Sequence, residues 1–176
     1  IPRPGGDKIG RRRLDTHFIN LQKLGAKLDY NSENKMYSVT SRNSLMGTDI
    51  LLDEASVTGT ANILMASVLA KGKTTIYNAA CEPYIQQLCL LLNKMGADIQ
   101  GIGSNFLKIN GVTSLSGAEH EILPDMIEIG SWIGLAAMTR SKLKIKNVSW
   151  DNLGQIPDVF RKLGITINRE GDDILI

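Results

Sequence analysis

One helix-ending pattern returns three times in this chain, and it limits the fold more than any other feature. Leu21-Gln22-Lys23-Leu24-Gly25-Ala26-Lys27-Leu28, Leu92-Asn93-Lys94-Met95-Gly96-Ala97-Asp98-Ile99 and Phe160-Arg161-Lys162-Leu163-Gly164-Ile165-Thr166-Ile167 are variants of one sentence, with their glycines 71 and 68 positions apart. A glycine placed there takes the left-handed conformation that ends a helix, and the residues after it predict a strand at once. A polar turn and a second short strand complete each copy: Met36 to Val39, Phe106 to Ile109 and Ile174 to Ile176.

The front half repeats as well. Ala61 to Ala70 predicts a helix, Lys71-Gly72-Lys73 a turn and Thr74 to Asn78 a strand; Ile129 to Met138, Arg140-Ser141-Lys142 and Leu143 to Asn147 match them in order. Pro124, Asp125 and Glu128 suit the first turn of the later helix, where a missing N–H costs nothing and carboxylates meet the positive end of the dipole. The expected class is α+β, built from repeated βαβαββ subdomains. The first copy has only Ile1 to Pro4 ahead of its loop, so its leading helix is missing. With no initiator Met, that predicts an excised segment of a longer protein, or a processed one. Units of this length are expected to pack helix to helix with their sheets outward, and a truncated unit would leave apolar helix surface that drives self-association. The boundaries read as a truncated unit over 1–52, a complete unit over 53–122 and a third over 123–176.

Composition narrows the function. The 176 residues are 43% hydrophobic and 22% charged, the profile of a soluble globular protein. A formal charge of +2 argues against wholesale nucleic-acid binding, and 5% aromatics offer no stacking series. No apolar run approaches the roughly 20 residues that span a bilayer, and no secretory leader pattern opens the chain, so a cytoplasmic address with no membrane partner is expected. Cys81 and Cys89 have no metal or disulfide-framework spacing, and His17 and His120 lie far apart. Reduced thiols, no metal and no cofactor follow, with Cys89 as core filling, Cys81 at a loop end, and Trp132 and Trp150 as packing residues.

The stretch Pro4-Gly5-Gly6-Asp7-Lys8-Ile9-Gly10-Arg11-Arg12-Arg13-Leu14-Asp15-Thr16-His17 gathers three glycines and four cations around the Asp7 carboxylate before the first helix. Glycines let a backbone approach a ligand closely, and guanidinium forks match phosphate oxygens. The same residues also suit a solvated basic surface.

With the loop, the stretch Asp53-Glu54-Ala55-Ser56-Val57-Thr58-Gly59-Thr60, Asn78-Ala79-Ala80-Cys81-Glu82-Pro83 and Leu123-Pro124-Asp125-Met126-Ile127-Glu128, set in matching repeats, the chain resembles the UDP-N-acetylglucosamine 1-carboxyvinyltransferases over essentially its whole length. The related 5-enolpyruvylshikimate-3-phosphate synthases share the repeats without this Pro-Gly-Gly loop. The resemblance implies the enolpyruvyl transferase fold, an inside-out α/β barrel arrangement. It implies transfer of enolpyruvyl from phosphoenolpyruvate to the 3-hydroxyl of UDP-N-acetylglucosamine, with release of phosphate, in peptidoglycan precursor synthesis. It also implies a domain crossing near Pro124, substrates held between the two domains, further binding residues before and after this chain, and no turnover by this stretch alone.

Carried over position by position, the resemblance makes Asp7 the catalytic acid where many members have cysteine. A carboxylic acid is ionised near neutral pH, and Lys8 and Arg12 favour that further, so donation needs desolvation and the substrate phosphate nearby to raise its pKa. Without a thiolate there, the resemblance implies resistance to the thiol-alkylating epoxide fosfomycin. Asp7 also suits a tight Gly-Gly turn. Arg12, Arg13, Leu14, Asp15 and Thr16 match one nucleotide-sugar-binding stretch, with Arg13 in place of the usual proline; Asp15 or Thr16 could also cap the following helix. Glu54, Ala55, Ser56 and Val57 match a second, in which Ser56 and the Val57 to Gly59 amides suit a diphosphate and Glu54 replaces a lysine of some members. Ser56 or Thr60 could instead be an ordinary cap. Two other readings stay open: a phosphate- or nucleic-acid-binding module using Lys8 and Arg11 to Arg13, and an inactive scaffold.

Overall fold

Leu24-Gly25-Ala26 ends the first helix, α1 (Asp15–Lys23), in a way that the chain then repeats twice. Gly25 has φ +99°, its N–H donates to the Gln22 carbonyl at 2.9 Å, and the Ala26 N–H reaches back to the Leu21 carbonyl at 3.0 Å. Gly96 (φ +103°) and Gly164 (φ +85°) make the same pair of bonds. Only a residue that tolerates positive φ closes a helix with this double return, so the threefold glycine is a backbone requirement.

The computed structural model describes residues 1–2 and 14–176, which divide into two compact units, Ile1–His120 and Glu121–Ile176. In the first unit, β1 (Lys27–Asn31) and β2 (Met36–Thr40) form an antiparallel pair with Tyr30 opposite Tyr37. A second sheet follows from β3 (Asp49–Leu51), α2 (Val57–Ser67), β4 (Lys73–Tyr77), α3 (Pro83–Lys94), β5 (Asp98–Gln100) and β6 (Phe106–Asn110). Its order is β3-β4-β6-β5, with β3 parallel to β4 and the others antiparallel, which is the expected βαβαββ unit. Its first strand lies in the stretch 1–52 that the sequence reading gave to the preceding unit. Pairing of Ile50 with Ile76 puts β3 in the same sheet as β4, with the complete repeat that continues to Asn110. Ile50, Ile63, Leu64, Ile76, Cys89, Leu107 and Ile109 are fully buried at the centre of this unit.

The second unit consists of α4 (Met126–Thr139), β7 (Lys144–Ile145), a 3₁₀ turn at Trp150–Asn152, α5 (Ile156–Lys162), β8 (Asn168–Glu170) and β9 (Asp173–Leu175), with sheet order β7-β9-β8. Expectation and structure part at several points here. Among the described residues of this unit no strand precedes α4, so the repeat is αβαββ and not βαβαββ. Glu119 to Leu123 lacks apolar alternation, Ile122 is exposed, and the two-residue β7 presents little edge for a parallel partner. β7 is short because Asn147 turns left-handed (φ +53°), which lets the Asp173 carboxylate accept from its N–H and lowers Val148 into the core. The strand after Gly164 starts at Asn168, beyond the predicted Ile165 to Ile167. Asp125 caps α4, accepting from the Ile127 and Glu128 amides, so Pro124 stands just before the helix. Trp132 is largely exposed, contrary to a packing role, whereas Trp150 packs against the buried cluster of Ile129, Ile133, Val148, Leu153, Ile167 and Ile174.

Candidate functional site

The helix α2 starts four residues before the sequence reading placed it, because Ser56 is its N-cap: the Ser56 hydroxyl accepts from the Gly59 N–H at 3.1 Å. This decides between the two candidate caps. Thr60 instead donates from Oγ1 to the Ser56 carbonyl at 2.7 Å and accepts from the Ala80 N–H at 2.9 Å, tying the start of α2 to the end of β4. The Gly59 amide is therefore occupied, and of the three amides expected to face a diphosphate, only those of Val57 and Thr58 remain without an intrahelical partner. Val57 rests its side chain on the core and Ala55 is exposed.

The α1 start is built differently. Leu14 is the N-cap residue and offers no side-chain bond, so neither Asp15 nor Thr16 caps the helix. Asp15 lies half-buried in the first turn, where its charge meets the positive end of the dipole. Thr16 is buried and points its hydroxyl across to Glu54, donating to Oε1 at 2.9 Å. Two residues 38 positions apart, one from each expected binding stretch, are thus in direct contact.

Further side chains, to which the sequence reading gave no binding role, complete this junction. The Asn62 Nδ2 lies 2.7 Å from Nδ1 of His17, and the Thr58 hydroxyl lies 3.5 Å from its Nε2, so the imidazole lies between α1 and α2. A Cβ on Gly59 would come within 2.9 Å of the Thr16 Cγ2, which makes glycine the residue that lets the two helices approach. Asn78, left-handed at φ +57°, donates from Nδ2 to the Leu52 carbonyl at 2.9 Å and braces the strand end from which Asp53 and Glu54 leave. Only the last was hinted at in the sequence, since Asn78 and Asn147 end corresponding strands. The others are contacts between distant segments, which no local pattern encodes.

Two helix N-termini, belonging to α1 and α2, are therefore linked side by side. Both carry the positive end of a helix dipole, and such ends bind phosphate or carboxylate. Asp7, Lys8, Arg11, Arg12 and Arg13 fall outside the described residues; Arg12 and Arg13 immediately precede the Leu14 cap in sequence. Cys81 is exposed at a loop end, and Cys89 is buried, where desolvation pushes its thiol up to about 11. Among the described residues no group of three or more His, Cys, Asp or Glu is placed to hold a metal ion, and no helix is long and apolar enough to cross a membrane.

A chain built from repeats of this topology belongs to a known class: the family described as EPSP synthase (3-phosphoshikimate 1-carboxyvinyltransferase), whose model matches residues 3–176. Within that class, the chain is 66% identical over all of its 176 residues to the UDP-N-acetylglucosamine 1-carboxyvinyltransferase of Bacteroides fragilis, and 65% identical to that of Porphyromonas gingivalis. It spans 40% of the length of each of these relatives. Among solved structures, the enolpyruvyl transferase NikO from Streptomyces tendae superposes with a TM-score of 0.80 at 18% identity, over 94% of this chain and 42% of that one. An EPSP synthase from Acinetobacter baumannii gives 0.65 at 19% identity, over 94% and 40%. The structural likenesses establish the enolpyruvyl transferase fold.

Proposed function

We propose that the full-length protein containing this chain transfers enolpyruvyl from phosphoenolpyruvate to the 3-hydroxyl of UDP-N-acetylglucosamine, in the cytoplasm, on the route to peptidoglycan. The observation that carries this reading is the 66% identity, sustained across every residue of the chain, to an enzyme named for that reaction. In the transfer, a bond forms between the sugar O3 and C2 of the enol. The bond from C2 to the phosphate oxygen breaks, and the hydroxyl proton leaves with inorganic phosphate. Attack at C2 needs a proton delivered to C3, and a C3 proton is lost again when phosphate leaves and the C2–C3 double bond re-forms; Asp7 is the residue assigned to deliver the first proton. Arg12, Arg13, Leu14, Asp15 and Thr16 form one side of the nucleotide-sugar site, and Glu54, Ala55, Ser56 and Val57 the other. The linked N-termini of α1 and α2 support this, because a diphosphate is the kind of ligand that two such ends attract.

The same reading places residues 1–122 in the domain that carries the Asp7 loop and 123–176 in its partner domain. It leaves this stretch inert and self-associating when isolated. Exposed Ile127, Leu135 and Met138 on α4 and Leu163 just after α5 support the self-association.

Phosphate release by the full-length protein tests the proposal. Release is expected only when both phosphoenolpyruvate and UDP-N-acetylglucosamine are present, and use of shikimate 3-phosphate as acceptor instead would overturn it. Asp7→Ala is expected to lower kcat by about 100-fold or more, the scale of a lost general acid. Covalent labelling of Asp7 by fosfomycin would contradict its assignment as a non-thiol acid.

A further inference from the structure

We infer that Thr16 and Glu54 serve the nucleotide-sugar site through each other, as positioning residues that hold its two halves at a fixed separation, with His17 and Asn62 as a second strut. This inference rests on the proposed function for the identity of the ligand. It departs from that reading in what the two side chains do.

Thr16 is 2% exposed, and its hydroxyl has one proton to give; that proton is directed at the Glu54 carboxylate, 2.9 Å away. A buried hydroxyl already donating to a charged acceptor has little to offer a diphosphate, and a bond to a charged partner is among the stronger neutral-to-ion contacts. Glu54 is itself a poor ligand for phosphate, since like charges repel. Its value lies in what it grips. By accepting from Thr16 it pins the β3–α2 connection to the first turn of α1, and Gly59 makes the close approach possible.

One turn further along α2, the Asn62 amide nitrogen lies 2.7 Å from Nδ1 of His17, and Nε2 on the other side of the ring lies toward the Thr58 hydroxyl. Two contacts on neighbouring residues of α1, reaching points eight residues apart in the Glu54 to Asn62 segment, resist both sliding and splaying of the helices. A ligand that must touch both N-termini gains from that rigidity, because the cost of ordering the two halves is met on folding and not on binding. Phosphoenolpyruvate, held by the cationic loop in this scheme, gains less.

The test uses the full-length protein, UDP-N-acetylglucosamine binding by calorimetry and the separate KM values of the two substrates. Thr16→Val and Glu54→Ala are each expected to weaken nucleotide-sugar binding about tenfold, the double variant is expected to be no worse than either single one, and the KM for phosphoenolpyruvate is expected to move less than twofold. Glu54→Gln, which keeps an acceptor, is expected to rescue most of the loss. His17→Phe is expected to weaken binding about threefold, and His17→Asn, which restores a group at the Nδ1 position, to recover it. Additive losses in the double variant would make Thr16 and Glu54 independent ligands and overturn the inference, as would unchanged binding in all variants. Should Thr16→Val unfold, Glu54→Ala and His17→Phe, both at accessible positions, carry the measurement. If the parent protein does not bind UDP-N-acetylglucosamine at all, the proposed function fails while the struts are still decided: an additive cycle of melting temperatures for Thr16 and Glu54 overturns them whatever the ligand.

Discussion

From Asp49 to Asn110, two helices and four strands enclose the larger share of a fifteen-residue buried cluster, whereas from Met126 to Leu175 two helices and three strands share a cluster of six among the described residues. Both stretches use the same helix, turn and strand pattern, and both end a strand on a left-handed asparagine, Asn78 or Asn147. The difference is one strand. β3 gives the first unit a parallel partner for β4, and the loop leaving it carries Glu54 to Val57 into the start of α2. The corresponding stretch before α4 has a cap, Asp125, and no strand to launch it. The comparison teaches that the repeat supplies a helix N-terminus each time, while a candidate site arises where a strand end and a neighbouring helix bring polar side chains to it.

The largest test of this contrast is to melt the two units separately. Both tryptophans, Trp132 and Trp150, lie in the second unit, so their fluorescence reports it alone, while circular dichroism reports both units. In a urea titration of residues 1–176, fluorescence is expected to change at lower denaturant than the bulk of the helical signal, with Cys89 still protected from alkylation at that point. Leu107→Ala is expected to cost about 2–5 kcal/mol and move only the later transition, and Ile174→Ala to cost about as much and move only the earlier one. A single transition seen by every probe would erase the distinction.

Gly111→Ala comes next. A Cβ there would lie 1.6 Å from the Ala70 carbonyl oxygen, an overlap with backbone that has nowhere to go. A loss of about 3 kcal/mol, again confined to the later transition, is the expected result. The two caps then sharpen the comparison from equivalent positions: Ser56→Ala and Asp125→Ala are each expected to cost about 1 kcal/mol in thermal melts, one in each unit. Equal losses from one unit would show that the two share a single cooperative fold.

The smallest effect is electrostatic. The Asn147 N–H and then Lys144 hold the Asp173 carboxyl below the usual carboxylate range, while Glu170 and Asp173 raise the Lys144 ammonium above its ordinary value. A lowered acid stabilises the fold above its unfolded pKa and loses that contribution as pH falls through the folded value. The raised lysine stabilises it below its ordinary pKa and loses that contribution as pH rises past the folded one. Acidification through the carboxylate range is therefore expected to shift the fluorescence transition downward slightly, and Asp173→Asn to blunt that shift. These groups are at the surface, so salt is expected to shrink the effect.

Much of this architecture was readable because it rests on local backbone rules. Gly25, Gly96 and Gly164 announce three identical helix ends, and alternating apolar residues such as Leu107 and Ile109 announce the strands that follow. What escaped was decided at a distance. Ile50 to Leu52 reads as an apolar strand, yet its pairing with β4 is settled only by contact with a distant segment, and the missing strand before α4 depends on how little edge β7 presents. At the candidate site, Ser56 was legible as a cap or a ligand. Thr16, Glu54, His17 and Asn62 acquire their roles from a junction between helices that neither local segment specifies.

The parallel pairing of β3 with β4 carries one more consequence, this time for the order of assembly. Hairpins such as β5-β6 close across a handful of residues, but β3 can dock only after α2 has crossed over and packed, a longer and slower closure. A chain whose hairpins have formed and whose β3 is still loose has no ledge from which Glu54 could reach Thr16. In a refolding experiment the contact between Glu54 and Thr16 is therefore expected to form late, after the local hairpins, so it reports on completion of the fold.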